Sequence, residues 1–235
     1  MALKMIFFDL DGTLLPMDMD EYVKGYFGLL SKKMIEHGYD AKHFMDALLK
    51  GIAAMVKNNG ECTNEERFWQ MIYEIMGEDF LQDKSILEEF YENEFIGTRE
   101  FCGYNPEAAK TIKTLKEKGY PLVLATNPIF PRVATDKRMS WAGLDAKDFE
   151  LYTVYENFNF SKPNPEYYRE LLRRFDVKAE ECLMVGNDVR EDMVAQSVGM
   201  KVFLLPEYLI NPDDEDIMKY PHGGFTELLE YIEQL

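Results

Sequence analysis

The spacing of apolar positions changes once along this chain, and the change divides it. A short apolar run, Met5-Ile6-Phe7-Phe8, reads as a buried strand. From Asp18 to about Ile96 apolar residues then recur only at helical spacing. Tyr22, Tyr26, Leu29, Leu30 and Ile35 predict a first helix, ended at His37-Gly38. Ala41 to Val56 predicts a second, ended by Asn58-Asn59-Gly60. Thr63 or Asn64 caps a third, through Phe68, Ile72, Ile75 and Met76, with Glu66 three residues after Thr63 as in a capping box. A fourth runs from about Lys84 to Phe95.

After Gly103 short apolar runs alternate with helical patterns. Asn105-Pro106 starts a helix through Leu115 that Gly119 stops. Pro121 to Thr126 is a second buried strand and Leu151 to Val154 a third. Asn164-Pro165 opens a helix to Phe175, and Glu181 to Gly186 is a fourth strand. Glu191 to Val198 follows as a helix, Lys201 to Leu204 as a fifth strand, and a last helix starts near Phe225. Strands alternating with helices predict an α/β, Rossmann-like parallel sheet covered on both faces. An all-helical insertion of residues 17–97 interrupts a core of residues 1–16 and 98–235. Ligand sites of such sheets lie beyond the carboxyl ends of the strands. Asp9, Thr126 and Asp188 all fall there.

Composition narrows the function classes. Apolar residues make up 46% and charged residues 29% of 235, the profile of a globular chain. Lys and Arg number 26 against 43 Asp and Glu, a net charge of −17. That surface repels nucleic acid and anionic membranes, and no apolar stretch is long enough to span a bilayer. A phosphorylated ligand would need local cations or a metal to reverse the potential. Cys62, Cys102 and Cys182 are scattered without zinc-ligand spacing, as expected of reduced thiols in the cytoplasm. No signal-peptide pattern opens the chain.

The candidate chemistry begins at Asp9-Leu10-Asp11-Gly12-Thr13. Residues i and i+2 of an extended backbone point the same way, so Asp9 and Asp11 present two carboxylates on one side of a strand end, which Gly12 breaks. Two like charges so close need a cation or a shared proton. The pair is therefore a metal site, an acid/base pair, or both. In isolation Lys162 reads as a solvated loop lysine, Thr126 as a strand-end hydroxyl, and Asp188, Glu191 and Asp192 as first-turn acids that favour a helix dipole.

Together these pieces resemble, in order, the four motifs of the haloacid dehalogenase (HAD) superfamily: Asp9-x-Asp11-Gly12-Thr13; Thr126 with Asn127 after Leu122-Val123-Leu124-Ala125; Lys162 in Ser161-Lys162-Pro163; and Gly186-Asn187-Asp188 with Asp192 four residues on. The resemblance covers nearly the whole chain and extends to the C1-capped phosphatases, similar to phosphoglycolate phosphatase and β-phosphoglucomutase. It implies a Mg2+-dependent phosphohydrolase acting on a small phosphorylated metabolite through an aspartyl-phosphate. Asp9 is then the nucleophile and Asp11 the acid/base. Asp9, the Asp11 carbonyl and Asp188 hold Mg2+, and Lys162, Thr126 and Asn127 hold the phosphoryl group. Asp192 orients Lys162 or a metal water, Thr13 fixes the turn and hydrogen-bonds near Asp11, and Asn187, standing where Gly is frequent, touches a metal water. The helical insertion takes the place of the C1 cap. Its Phe27, Tyr39, Phe44, Met45, Trp69 and Met71 are expected in its core, and Lys24 and Arg99 as solvated cations. A phosphomutase using the same aspartates, and a silent HAD-fold binding module, are the alternatives. A dehalogenase is disfavoured by Asp11.

Overall fold

The structure, a computed structural model, describes residues 3–235 apart from the side chains of Glu78 and Leu81; Met1 and Ala2, assigned above to the core, lie outside the described residues. Five strands, β1 (Met5–Phe8), β2 (Leu122–Leu124), β3 (Leu151–Tyr152), β4 (Cys182–Gly186) and β5 (Lys201–Leu204), form one parallel sheet in the order β3-β2-β1-β4-β5. The most apolar strand, β1, lies in the middle, with Phe7 opposite Val123 on one side and Met184 on the other. Successive side chains of a strand point to opposite faces, and the core divides accordingly. Ile6, Phe8, Leu124, Val185 and Phe203 belong to one apolar cluster. Phe7, Val123, Met184 and Val202 belong to the other.

Between β1 and β2 run α1 (Met19–Glu36), α2 (Ala41–Val56), α3 (Asn64–Met76) and α4 (Lys84–Glu92). Side-chain caps set their starts: Asp18 accepts from Glu21 N–H at 3.1 Å, Asp40 from His43 N–H at 2.7 Å, and Thr63 with Glu66 closes a capping box. Thr63, not Asn64, is the cap. Asn64 is freed to reach across to the sheet domain's loops, where its Nδ2 donates to the Pro128 carbonyl and to Ser161 Oγ, both at 3.0 Å. The fourth helix stops at Glu92, short of the expected Phe95, and a tighter 3-10 segment continues over Glu94–Phe101. Among the expected core residues Phe44 and Trp69 are buried, whereas Phe27, Tyr39, Met45 and Met71 are half-buried. Lys24 and Arg99 are exposed as expected.

Helix α5 (Pro106–Glu117) leads into β2, and beyond β2 come α6 (Arg132–Trp141), α7 (Pro165–Phe175) and α8 (Phe225–Glu233). Helices α5 and α7 open on Asn-Pro, the Asn side chain capping and Pro at the first position. Two expectations fail here. Helix α6 was not foreseen, because it starts after Pro131 without a capping side chain and its buried face consists of Ala134, Thr135, Arg138, Met139 and Trp141. An arginine and a threonine on the inner stripe hide the helical period. The helix expected over Glu191–Val198 is only a 3-10 segment, Met193–Val198, because Asp188 Oδ1 takes the N–H groups of Arg190 and Glu191 at 2.8 and 2.9 Å and holds the chain in a turn. Among the described residues no helix is long and apolar enough to cross a membrane, and all three cysteines are free.

Candidate active site

Asp9 follows the last residue of β1 and donates its N–H to the Val185 carbonyl of β4 at 2.9 Å. This backbone bond fixes it at the carboxyl edge of the sheet. Leu10 turns into the core, and Gly12 reverses the chain with φ +79°. Only glycine fits there: a Cβ would lie 2.4 Å from Asn187 Nδ2. Asp9 and Asp11 then face one cavity of about 450 Å³, together with Thr126, Asn127, Asp188, Glu191 and Asp192.

The charges are resolved by two buried cations. Lys162 is fully buried and donates Nζ to Asp9 Oδ1 at 2.8 Å and to Asp192 Oδ1 at 2.6 Å. Burial works against its ammonium, but Asp192 and then Asp9 hold its pKa well above the ordinary lysine value. Two carboxylates at hydrogen-bond distance keep Lys162 charged. Burial in turn raises Asp192, and Lys162 opposes that rise. Asp192 also accepts the Asp188 N–H at 3.0 Å, tying the lysine to the turn that carries Asp188. Gly186 makes room for it, since a Cβ there would come within 2.1 Å of Asp192 Oδ2.

The second cation is one that the sequence did not disclose. Arg138 of α6, 1% exposed, pairs Nη1 with Asp11 Oδ2, and its guanidinium lies 4.2 Å from the centre of the Phe130 ring. Asp11 Oδ1 stays buried without a hydrogen-bond partner. Burial pushes the Asp11 carboxyl above its ordinary range, with Arg138 pulling it back and Asp9 adding to the rise.

Other residues frame the site. Thr13 Oγ1 donates to Asn187 Oδ1 at 2.8 Å, beside the Gly12 that follows Asp11. Asn187 Nδ2 donates to the Tyr208 carbonyl at 2.6 Å, so this side chain braces the turn while lining the same cavity as Asp9 and Asp188. Glu191 is no mere first-turn acid. Its carboxylate accepts from Asn127 Nδ2 at 3.0 and 2.9 Å within the cavity, and burial raises its pKa to about 7. Asp188 is raised by burial too, against the two N–H groups it accepts. Two fully buried tyrosines of α7 complete the frame: Tyr167 donates to the Thr126 carbonyl at 3.0 Å and Tyr168 to the Glu191 carbonyl at 2.6 Å.

Five carboxylates around the cavity outnumber the two buried cations. Among the described residues no three His, Cys, Asp or Glu side chains form a ready-made chelate. Two carboxylates facing one cavity, Asp9 and Asp188, are oxygen donors of the kind that suits a hard divalent cation keeping part of its water.

A family model of haloacid dehalogenase-like hydrolases matches residues 3–199. The chain belongs to that family. Among curated relatives, the glyceraldehyde 3-phosphate phosphatase of Pyrococcus furiosus is 26% identical, over 99% of this chain and 93% of its own length. Pyrophosphatase PpaX of Halalkalibacterium halodurans is 24% identical, over 91% of this chain and 88% of its own. Among solved structures, a 2-haloacid dehalogenase from Pseudomonas syringae pv. Tomato superimposes with a TM-score of 0.69 at 21% identity over 99% of both chains, a likeness of fold. The protein is thus an enzyme of a hydrolase family in which these curated relatives are phosphatases.

Proposed function

We propose that this HAD hydrolase is a Mg2+-dependent phosphomonoesterase that works through a phosphorylated Asp9. The observation that carries the reading is the fully buried Lys162 held between Asp9 and Asp192, with Asp11 two residues from Asp9 in the same cavity. A phosphoryl group leaving an ester needs an in-line nucleophile, charge neutralisation and a proton for the departing oxygen. Asp9 supplies the nucleophile: its free carboxylate oxygen bonds to phosphorus as the ester P–O bond breaks. The departing oxygen takes a proton from Asp11. In the second half Asp11 takes a proton from water, the water oxygen bonds to phosphorus, and the Asp9–phosphorus bond breaks to give inorganic phosphate. With Arg138 on Oδ2, the unpartnered Oδ1 of Asp11 is the atom that would carry the proton. The Thr126 hydroxyl and the Asn127 N–H would hold the phosphoryl oxygens, with the Lys162 charge behind Asp9 to neutralise them. Asp9, the Asp11 carbonyl and Asp188 would hold Mg2+, which neutralises charge on the transferring group.

In this reading residues 17–97 are a cap over a core of 1–16 and 98–235, supported by α1 and α2 lining the same cavity as the carboxylates. Such a cover keeps bulk water from the phosphorylated aspartate and favours small esters in the cytoplasm. Phosphate release from a panel of small phosphomonoesters, in EDTA and with Mg2+ restored, tests the reading. Release that needs Mg2+ is expected. No release from any ester, or release untouched by EDTA, would overturn it.

A further inference from the structure

The cavity lining is of two chemical kinds: carboxylates, with their buried cations behind them, and an apolar wall of Val23, Tyr26 and Phe27 of α1, Ile52 of α2, and Ile129 and Phe130 of the loop after β2. Among the described residues lining it there is no Lys, Arg or His. The two cations behind the site are already taken, Lys162 by Asp9 and Asp192, Arg138 by Asp11 and the Phe130 ring. The aromatic wall is fixed in place. The Tyr26 hydroxyl is bonded to the Tyr91 hydroxyl at 2.6 Å, and its ring meets Phe130 edge-on at 5.5 Å.

A second cavity of about 890 Å³ shares Tyr26, Ile52, Ile129 and Phe130 with the first and offers an anion no better place. Its border carries six carboxylates, Glu65, Glu88, Glu89, Glu92, Asp136 and Glu156, against two cations, Arg132 and Lys137, which hydrogen-bond to the Tyr152 hydroxyl and the Tyr91 carbonyl, both at 2.6 Å.

We infer that this site takes phosphate esters whose leaving group is uncharged and apolar or aromatic, and rejects those whose leaving group carries a second anion. The inference rests on the phosphatase reading and narrows it. A carboxylate or phosphate on the leaving group would be stripped of water against an apolar wall, without a cation to replace it, and would share the cavity with five carboxylates. A small ring or branched chain loses nothing there and buries apolar surface. The volume of about 450 Å³ lies within the range of small-molecule sites.

The test compares kcat/KM with Mg2+ for benzyl phosphate, glycerol 1-phosphate, 2-phosphoglycolate and pyrophosphate. Benzyl phosphate is expected to exceed both anionic substrates by at least about tenfold, the scale of one uncompensated like-charge repulsion in a partly desolvated site, with glycerol 1-phosphate between. Leu49, half-exposed at the cavity rim, is the place to add a cation without disturbing the core. Leu49→Arg should raise 2-phosphoglycolate relative to benzyl phosphate by about fivefold or more, by the same Coulomb argument. A wild-type preference for 2-phosphoglycolate or pyrophosphate, or a ratio unmoved by Leu49→Arg, would overturn the inference and leave the phosphatase reading standing. No release from any of the four would remove both.

Discussion

Replacing Arg138 by methionine should cost this protein a large part of its stability, although the residue lies in no sequence motif. The guanidinium is 1% exposed, and the carboxylate it neutralises is 15% exposed. Removing one partner of a buried ion pair costs about 3–5 kcal/mol, because the other charge is left without compensation. The partial exposure of Asp11, and its freedom to take up a proton instead, place the expected loss near the lower end, about 3 kcal/mol. Methionine preserves most of the packing volume, so the loss reports the charge and not a cavity. Against a typical total of about 5–15 kcal/mol, such a loss moves a urea transition visibly. The assay is urea unfolding of Arg138→Met, Asp11→Asn and the double variant at neutral pH. With the carboxylate gone the arginine deletion should be milder, and a coupling of about 2 kcal/mol between the two positions is expected. A loss under about 1 kcal/mol for Arg138→Met, or strict additivity, would refute the claim that this pair resolves the charge on Asp11.

Three further outcomes follow from the same geometry. Lys162→Met should lower kcat by at least about a hundredfold, the scale of losing one buried donor at a reacting group; steady-state phosphate release measures it. Asn64→Ala removes hydrogen bonds to Pro128 and Ser161 that tie α3 to the loop after β2 and to the loop before Lys162, and should cost about 1–3 kcal/mol in denaturant unfolding. Glu156 is raised by burial, with Oε2 lacking a partner. Its folded carboxyl binds a proton more tightly than the unfolded one, so the stability it contributes is present below the unfolded pKa and lost as pH rises through the folded value. Glu156→Gln should therefore gain melting temperature over wild type at pH 8 and show a smaller difference at pH 5.

Much of this fold could be read from the chain because local signals and tertiary structure agree. The bounds of α2, α7 and β5 match their sequence signals residue for residue, since periodic apolar faces, Asn-Pro starts and Thr63-x-x-Glu66 all favour the same conformations. The sequence failed where a buried face is not apolar. Helix α6 carries its arginine inward, and Glu191 lies in a turn where an acid looks solvated. Glu191 lines the cavity and Arg138 pairs with Asp11, which lines it; both are polar groups buried against the usual rule because partners from distant segments meet them there. The Lys162 cluster was legible only as a set of motifs; that one ammonium serves both Asp9 and Asp192 needed the fold.

The central claim is that Asp9 is the nucleophile. Its most direct test is the initial rate of phosphate release by wild type and Asp9→Asn, side by side with Mg2+ on the best ester, with melting curves as a check on folding. Asparagine keeps the shape, and Lys162 keeps Asp192 as a partner, so both proteins should melt alike. The variant should lose at least about a thousandfold in rate, as the removal of a covalent nucleophile does. An Asp9→Asn protein that retains activity within about tenfold of wild type would contradict the account.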